Sequence, residues 1–438
     1  MTSYQTGTEG AAPATYTEQQ SDIGVTGPGE TAVTEQRSGV TVTESSDIEE
    51  GRDAYQPGGF HPVYIGDIYA DKYEVMSKIG YGRYSTVWLV KDLSKPPNDE
   101  HQFRALKVLS ADCYGQDNPI FEKEILTHLG DGNRKLMGYK YICHLVDDFE
   151  LEGPNGSHVC LVLELMGETL LSFGVWFKEF MVPTTIMRKF SLQLVAALDF
   201  AHESGVIHTD IKPDNIFVKV RDVHRIETEY LVEEPIPQQN KDEEQYTPIR
   251  SRSLRKCYFG DDPTRLIELD VALGDWGVSS WADKHLTENI QPVALRAPEV
   301  LIRAPWDTNV DWWNLGAVIF EVYRSICMFD GGAPPDGHYE VREHLAEIVD
   351  LFGPFPKRLL EKGDAAIREW FDDGGRIKDY EPMGRPPLES ETFLPGLDQT
   401  TRDVFGSFLR AMMKIDPGER PIPGELVQQP WLDPKCRW

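Results

Sequence analysis

The sequence predicts an α+β chain of two unequal lobes, a small β-rich one followed by a larger, mostly helical one. Three observations carry this. Short apolar runs of strand length fill residues 73–165. A single main helical stretch, residues 120–129, interrupts them. From Gly167 onward the period turns helical, with Ile186, Phe190, Leu194 and Leu198 recurring within residues 184–202.

In order, strands are expected at 73–79 and 86–90, joined by a glycine-containing loop, then at 103–109, 142–149 and 159–165. Another short apolar strand falls at 271–273. Residues 1–55 are rich in Thr, Ser, Gly and Glu. They cannot bury enough apolar surface to offset chain entropy, and they are expected to be a disordered tail. A lead-in segment, 56–72, precedes the small lobe at 73–165, and the large lobe spans 166–434. Residues 219–268 interrupt it. They carry an acidic tract (Glu227, Glu229, Glu233, Glu234, Asp242, Glu243, Glu244) and a basic one (Arg250, Arg252, Arg255, Lys256). Their periodicity is poor, which reads as a mobile insertion.

The 438 residues carry a formal charge of −28, so nucleic-acid phosphates and anionic membranes are disfavoured and basic partners are favoured. Six cysteines are scattered without a Cys-x-x-Cys pair, which fits reduced thiols in cytoplasm or nucleus. No apolar run approaches the ~18 residues of a membrane span. No signal peptide is visible at the N-terminus.

Five strings carry chemistry. Ile79-Gly80-Tyr81-Gly82-Arg83-Tyr84-Ser85-Thr86-Val87 can bring backbone N–H groups to phosphate oxygens, although a tight hairpin reads the same way. In Ala105-Leu106-Lys107-Val108, a lysine on an apolar strand needs an anion. Glu124 on the following helix is its expected partner. Glu122, two residues away, is expected on another face. His208-Thr209-Asp210-Ile211-Lys212-Pro213-Asp214-Asn215 gathers a carboxylate, an ammonium and an amide in one loop, as phosphoryl transfer requires. Asp275-Trp276-Gly277 follows the strand at 271–273 and offers a second metal-binding carboxylate. Ala297-Pro298-Glu299 holds a glutamate that needs a basic partner, for which Arg420 is the candidate. Asp311 is expected to hydrogen-bond the backbone of the 208–215 loop from a buried helix.

The order of these strings is that of the protein-kinase signature set, and residues 60–434 resemble a bilobal protein-kinase fold. The resemblance implies ATP and Mg²⁺. It makes Lys107 the α/β-phosphate ligand and Glu124 its anchor. Asp210 becomes the base, Lys212 a phosphate contact, and Asn215 and Asp275 the metal ligands. Ile79, Gly80, Gly82, Ser85, Val87, Ala105, Leu163, Glu164 and Met166 would surround the nucleotide, with Leu163 as gatekeeper.

The lead-in Tyr55-Gln56-Pro57-Gly58-Gly59-Phe60-His61-Pro62-Val63-Tyr64-Ile65-Gly66-Asp67 is similar to that of SR-protein kinases. So are Tyr84-Ser85-Thr86-Val87-Trp88-Leu89, His-Thr-Asp in place of His-Arg-Asp, and the insertion after the catalytic loop. The resemblance implies serine/threonine phosphorylation of Arg/Ser-rich proteins such as splicing factors, by a monomer. Glu340, Glu343, Glu347 and Asp350 share one face of a helix opposite Leu345, Ile348, Val349 and Phe352. The resemblance makes Glu343, Glu347 and Asp350 a docking strip for arginine-rich segments. Arg250-Ser251-Arg252-Ser253 could occupy that strip in cis. Two alternatives stay open. A LAMMER-type dual-specificity kinase also carries His-Thr-Asp, and Glu343-His344-Leu345-Ala346 is similar to its namesake helix. A catalytically silent scaffold for basic partners is an alternative of another class.

Overall fold

The computed structural model describes residues 50–114, 120–177, 181–220, 222–233, 239–241, 245–254, 263–333, 337–382, 384 and 386–433. The small lobe is a six-stranded antiparallel sheet in the order β1-β2-β3-β4-β6-β5. Its strands are β1 (Ile68–Tyr69), β2 (Tyr73–Gly82), β3 (Ser85–Asp92), β4 (Phe103–Leu109), β5 (Leu145–Gly153) and β6 (Gly156–Glu164). Helix α1 (Glu122–Gly130) lies beside it.

The strand expected at 142–149 starts and ends later, as β5. Its alternation continues through Glu150, Leu151 and Glu152 to a hairpin closed by Gly153 and Gly156. Ile142 and Cys143 are instead fastened to the large lobe. Cys143 N donates to Leu273 O at 2.8 Å, which ties the lobes together two residues before Asp275.

The large lobe is built on α2 (Thr184–Glu203), α3 (Asn309–Arg324), α4 (Val341–Phe352) and α5 (Gln399–Met412). Nearly every residue of α3 is buried, the pattern of a helix surrounded by protein. Short strands carry the loops of interest: β7 (Met166–Thr169), β8 (Val206–Ile207), β9 (Ile216–Lys219), β10 (Val271–Leu273) and β11 (Ser280–Trp281). β9 lies between β7 and β10, and β8 pairs with β11. The 208–215 loop therefore starts from one small sheet and ends in another.

Two expectations are corrected here. Of the tail expected to be disordered to residue 55, residues 50–55 are placed against the small lobe, and the Glu50 carboxylate meets Lys78 Nζ on β2. The described parts of the insertion are packed rather than mobile. Ile226, Tyr230 and Leu254 join Leu89, Phe103 and Ala105 in one buried cluster. Tyr230 Oη lies 3.0 Å from Ser77 Oγ, and Tyr246 Oη donates to Val63 O at 2.8 Å. Arg252 is pinned on the small lobe, its guanidinium donating to Tyr230 O at 2.8 Å and its amide to Lys78 O at 2.9 Å. The Arg250–Ser253 repeat thus sits on the small lobe rather than on the acidic strip of α4. Residues 1–49, and Glu234, Asp242–Glu244, Arg255 and Lys256 of the charged tracts, lie outside the described residues.

Candidate active site

The glycine-containing loop is the β2–β3 hairpin. Gly80 pairs with Val87 and Gly82 with Ser85, and the register shifts between Lys78 and Gly80, so Ile79 is the bulged residue. Ser85 is buried beneath the turn. Ile79, Val87, Ala105 and Leu163 share one apolar patch. Leu163 also touches a second patch of Cys143, Met166, Ala272 and Phe217. Phe217, on β9, was not anticipated from the sequence. Its position two residues beyond Asn215 on a buried strand is the signal that could have found it. Glu164, at the end of β6, donates its amide to His144 O at 3.0 Å, and its carboxylate lies 3.8 Å from Lys219 Nζ.

Lys107, on β4, donates to both carboxylate oxygens of Glu122, each at 2.8 Å, and to Asp275 Oδ1 at 2.9 Å. The expected partner, Glu124, instead accepts from Tyr114 Oη and has no bond to Lys107. Helical geometry explains the correction. Glu122, Ile125, Leu126 and Leu129 are the buried positions of α1, spaced i, i+3, i+4 and i+7. Glu122 therefore belongs to the inward stripe, and Glu124 lies off it. Burial opposes the charge on Lys107, but Asp275 and Glu122 outweigh it and hold the ammonium well above its ordinary pKa. Lys107 in turn holds the Asp275 carboxyl below its usual range.

Asp275 has a left-handed backbone (φ 57°) directly after β10. Gly277 passes close to the ionic cluster, where a Cβ built on it would lie 3.4 Å from Glu122 Oε2. Trp276 is fully buried, its ring 4.6 Å from that of His208.

The loop after β8 is held from below. Asp311 of α3 accepts from His208 N (2.8 Å), Thr209 N (3.0 Å) and His202 Nε2 (2.9 Å). Asn314 brackets Ile211 through both its amide and its carbonyl. Asp210 Oδ2 accepts from Lys212 Nζ and Asn215 Nδ2, each at 2.9 Å. Asn215 thereby turns its amide nitrogen to Asp210 and leaves its amide oxygen for another partner. Burial works against the charge on Lys212, but Asp210 prevails and the ammonium is held above its ordinary value.

Thr209 Oγ1 donates to Val278 O at 2.8 Å, and Ser279 Oγ donates to His208 O at 3.2 Å. The segment after Asp275 is thus fastened to the catalytic loop by neutral hydrogen bonds. Ser279 and Ser280 are buried, while Thr287 is exposed. Farther on, Glu299 and Arg420 form a fully buried bidentate pair at 2.6 and 2.8 Å. Removing one partner from such a pair costs about 3–5 kcal/mol.

The acidic face of α4 is smaller than expected. Glu347 is buried, and its Oε2 accepts from Asp330 N at 3.0 Å and Gly331 N at 3.1 Å. It anchors a loop and is not a docking residue. Glu343 and Asp350 remain half-exposed, with Tyr380 Oη 3.3 Å from Asp350.

Residues 73–229 and 264–432 match the protein kinase domain model, and the break between them falls in the insertion. A serine/threonine protein kinase of Aspergillus fumigatus is 34% identical over 88% of this chain and 90% of its own. A serine/threonine-protein kinase SRPK of Physarum polycephalum is 26% identical over 88% of this chain and 91% of its own. Human SRSF protein kinase 3 is 24% identical over 92% and 94%. The chain belongs to the SR-protein kinase family. It is a serine/threonine protein kinase of the bilobal α+β fold, acting on protein substrates with ATP. These relatives favour that family over the LAMMER-type alternative.

Proposed function

We propose that this SR-protein kinase transfers the γ-phosphoryl group of ATP to serines flanked by arginines. The observation that carries the reading is the joint grip of Lys107 on Glu122 and Asp275, which assembles the phosphate-binding lysine and a metal-binding carboxylate at one point. Lys107 would hold the α- and β-phosphates under the β2–β3 loop. The adenine would lie among Ile79, Val87, Ala105 and Leu163, beside Glu164 and Met166, with Phe217 opposite. Asp275 and the free amide oxygen of Asn215 are hard oxygen donors of the kind Mg²⁺ prefers, and would hold it. When bound, the ion would neutralise charge on the triphosphate.

The serine oxygen then bonds to the γ-phosphorus, the bond from phosphorus to the β–γ bridging oxygen breaks, and ADP leaves with that electron pair. The hydroxyl proton passes to Asp210, whose carboxylate is oriented by Lys212 and Asn215 through Oδ2. Lys212 would balance charge on the moving phosphoryl group.

The arginine preference is supported by the net charge of −28 and by Glu343 and Asp350 on α4. Incubation with labelled ATP and three peptides tests the reading: Arg/Ser-rich, basic without Arg-Ser, and tyrosine-containing. Label is expected on the first alone, and Asp210→Asn should abolish it. Equal labelling of the basic peptide would remove the Arg-Ser preference. Nucleotide binding without transfer to any peptide would leave the scaffold alternative.

A further inference from the structure

Lys78 is a fully buried lysine that plays no part in the chemistry above. It lies on β2, immediately before Ile79, and its side chain is 0% exposed. Three separate stretches of chain meet on its ammonium. Glu50, from the N-terminal segment, brings a carboxylate that is itself only 2% exposed. Ile249, from the insertion, brings its carbonyl to 3.2 Å. The ring of Tyr81, at the tip of the glycine loop, lies 5.0 Å away. The backbone of Lys78 is held too, since Arg252 N donates to its carbonyl at 2.9 Å.

The two outer stretches also brace each other. Tyr55 Oη donates to the second oxygen of Glu50 at 2.5 Å. The Tyr55 ring lies 4.4 Å from that of Tyr246, and Arg52 reaches Thr247 Oγ1 at 3.3 Å. The insertion and the N-terminal segment thus form one clamp over a single strand position.

That position matters because the β2–β3 register breaks there, passing from Lys78↔Trp88 to Gly80↔Val87. A bulge bends its strand and re-aims the residue it carries. The residue here is Ile79, followed at once by the phosphate-facing glycines. A buried ammonium stripped of its carboxylate is strongly unfavourable, so loss of Glu50 would drive Lys78 toward water. The bulge, Ile79 and Tyr81 would have to move with it.

We propose that Glu50 is a positioning residue for the nucleotide: through Lys78 it fixes the bulge that aims Ile79 and the glycine loop, so the N-terminal segment and the insertion set nucleotide affinity without touching the nucleotide. This rests on the reading of the β2–β3 loop as the nucleotide cover.

The test uses the full chain and a fluorescent ADP analogue with Mg²⁺, titrated well below the Tm of every variant. Glu50→Ala should raise the analogue's Kd by about fivefold or more. At saturating ATP, kcat and the peptide KM should stay within about twofold of the parent. The double variant Glu50→Ala/Lys78→Met removes the stranded charge and should restore Kd to within about twofold of the parent. A stapling role alone would lower Tm and leave Kd unmoved. An unchanged Kd in Glu50→Ala, or an equal loss in the double variant, would overturn the proposal. If Glu50→Ala does not fold, Glu50→Gln is read in the same way. Failure of the parent to bind the analogue would instead overturn the nucleotide-cover reading itself.

Discussion

Lys107 and Glu122 are joined through both carboxylate oxygens at 2.8 Å, across the gap between β4 and the first turn of α1. The same ammonium reaches Asp275 at 2.9 Å, so a strand, a helix and the turn after β10 meet at one charge. The site is therefore assembled with α1 turned inward. The tether from Cys143 N to Leu273 O keeps the two lobes in step at that place.

The first prediction separates the two glutamates of α1. Glu122→Gln should lower kcat/KM by about a hundredfold, because Lys107 loses the carboxylate that orients it. Glu124→Gln should lose less than about threefold, since its only described bond is to Tyr114. Parallel steady-state assays decide it. The reverse order would restore Glu124 as the anchor.

A second prediction concerns activation. In many kinases an arginine beside the catalytic aspartate pairs with a phosphate on the following loop. Here Thr209 occupies that place and donates to Val278 O at 2.8 Å. The segment is held without phosphate, and Ser279 and Ser280 are too buried to be modified while folded. Phosphatase-treated enzyme and Thr287→Ala should both retain activity within about twofold of untreated parent. A treated enzyme that is inactive and regains activity on phosphorylation would contradict this.

Much of the site was legible because its strings are local. Asp210, Lys212 and Asn215 lie within one loop, and the buried Glu299–Arg420 pair follows from the need to neutralise an acid in a core. What was missed depended on three-dimensional placement. Glu122 stands three and four residues before Ile125 and Leu126, so the 120–129 period already put it on the apolar stripe; what the sequence does not disclose is that Lys107 faces that stripe. The insertion hides its anchors, since Ile226, Tyr230, Tyr246, Ile249 and Leu254 are spread thinly among charged and polar residues, with no sustained period to reveal them. Glu347 looked like one acid of a surface row. The amides of Asp330 and Gly331 that it caps come from a loop whose path the sequence does not disclose.

The third prediction divides the acids of α4 by role. Glu343→Lys combined with Asp350→Lys should weaken an Arg/Ser peptide by about tenfold or more in KM at low salt, with Tm little changed. Glu347→Gln should instead destabilise the fold by about 1–3 kcal/mol, because the amides of Asp330 and Gly331 lose a charged acceptor. Its effect on peptide KM should be small. Denaturation and peptide kinetics on the same two proteins separate the roles.

The last prediction is acid sensitivity from histidines buried neutral. Burial pushes His344 down to about 3, with Arg296 adding to the effect and Asp330 opposing it. Burial also pushes His61 down to about 4, helped by the adjacent His158 and opposed by Asp67. Unfolded histidine titrates near 6.5. For a depressed folded pKa, the unfolded chain takes up the proton first as pH falls. The stability is therefore fully present above about pH 6.5 and is lost progressively between there and the folded values. At pH 5 the loss should approach about 2 kcal/mol per histidine. Urea denaturation at pH 7.5, 6 and 5 measures the slope. His344→Phe, an aromatic of similar bulk against Phe329, should flatten it by that histidine's share. A slope unchanged by the substitution would mean that His344 takes up its proton as readily in the folded chain as in the unfolded one.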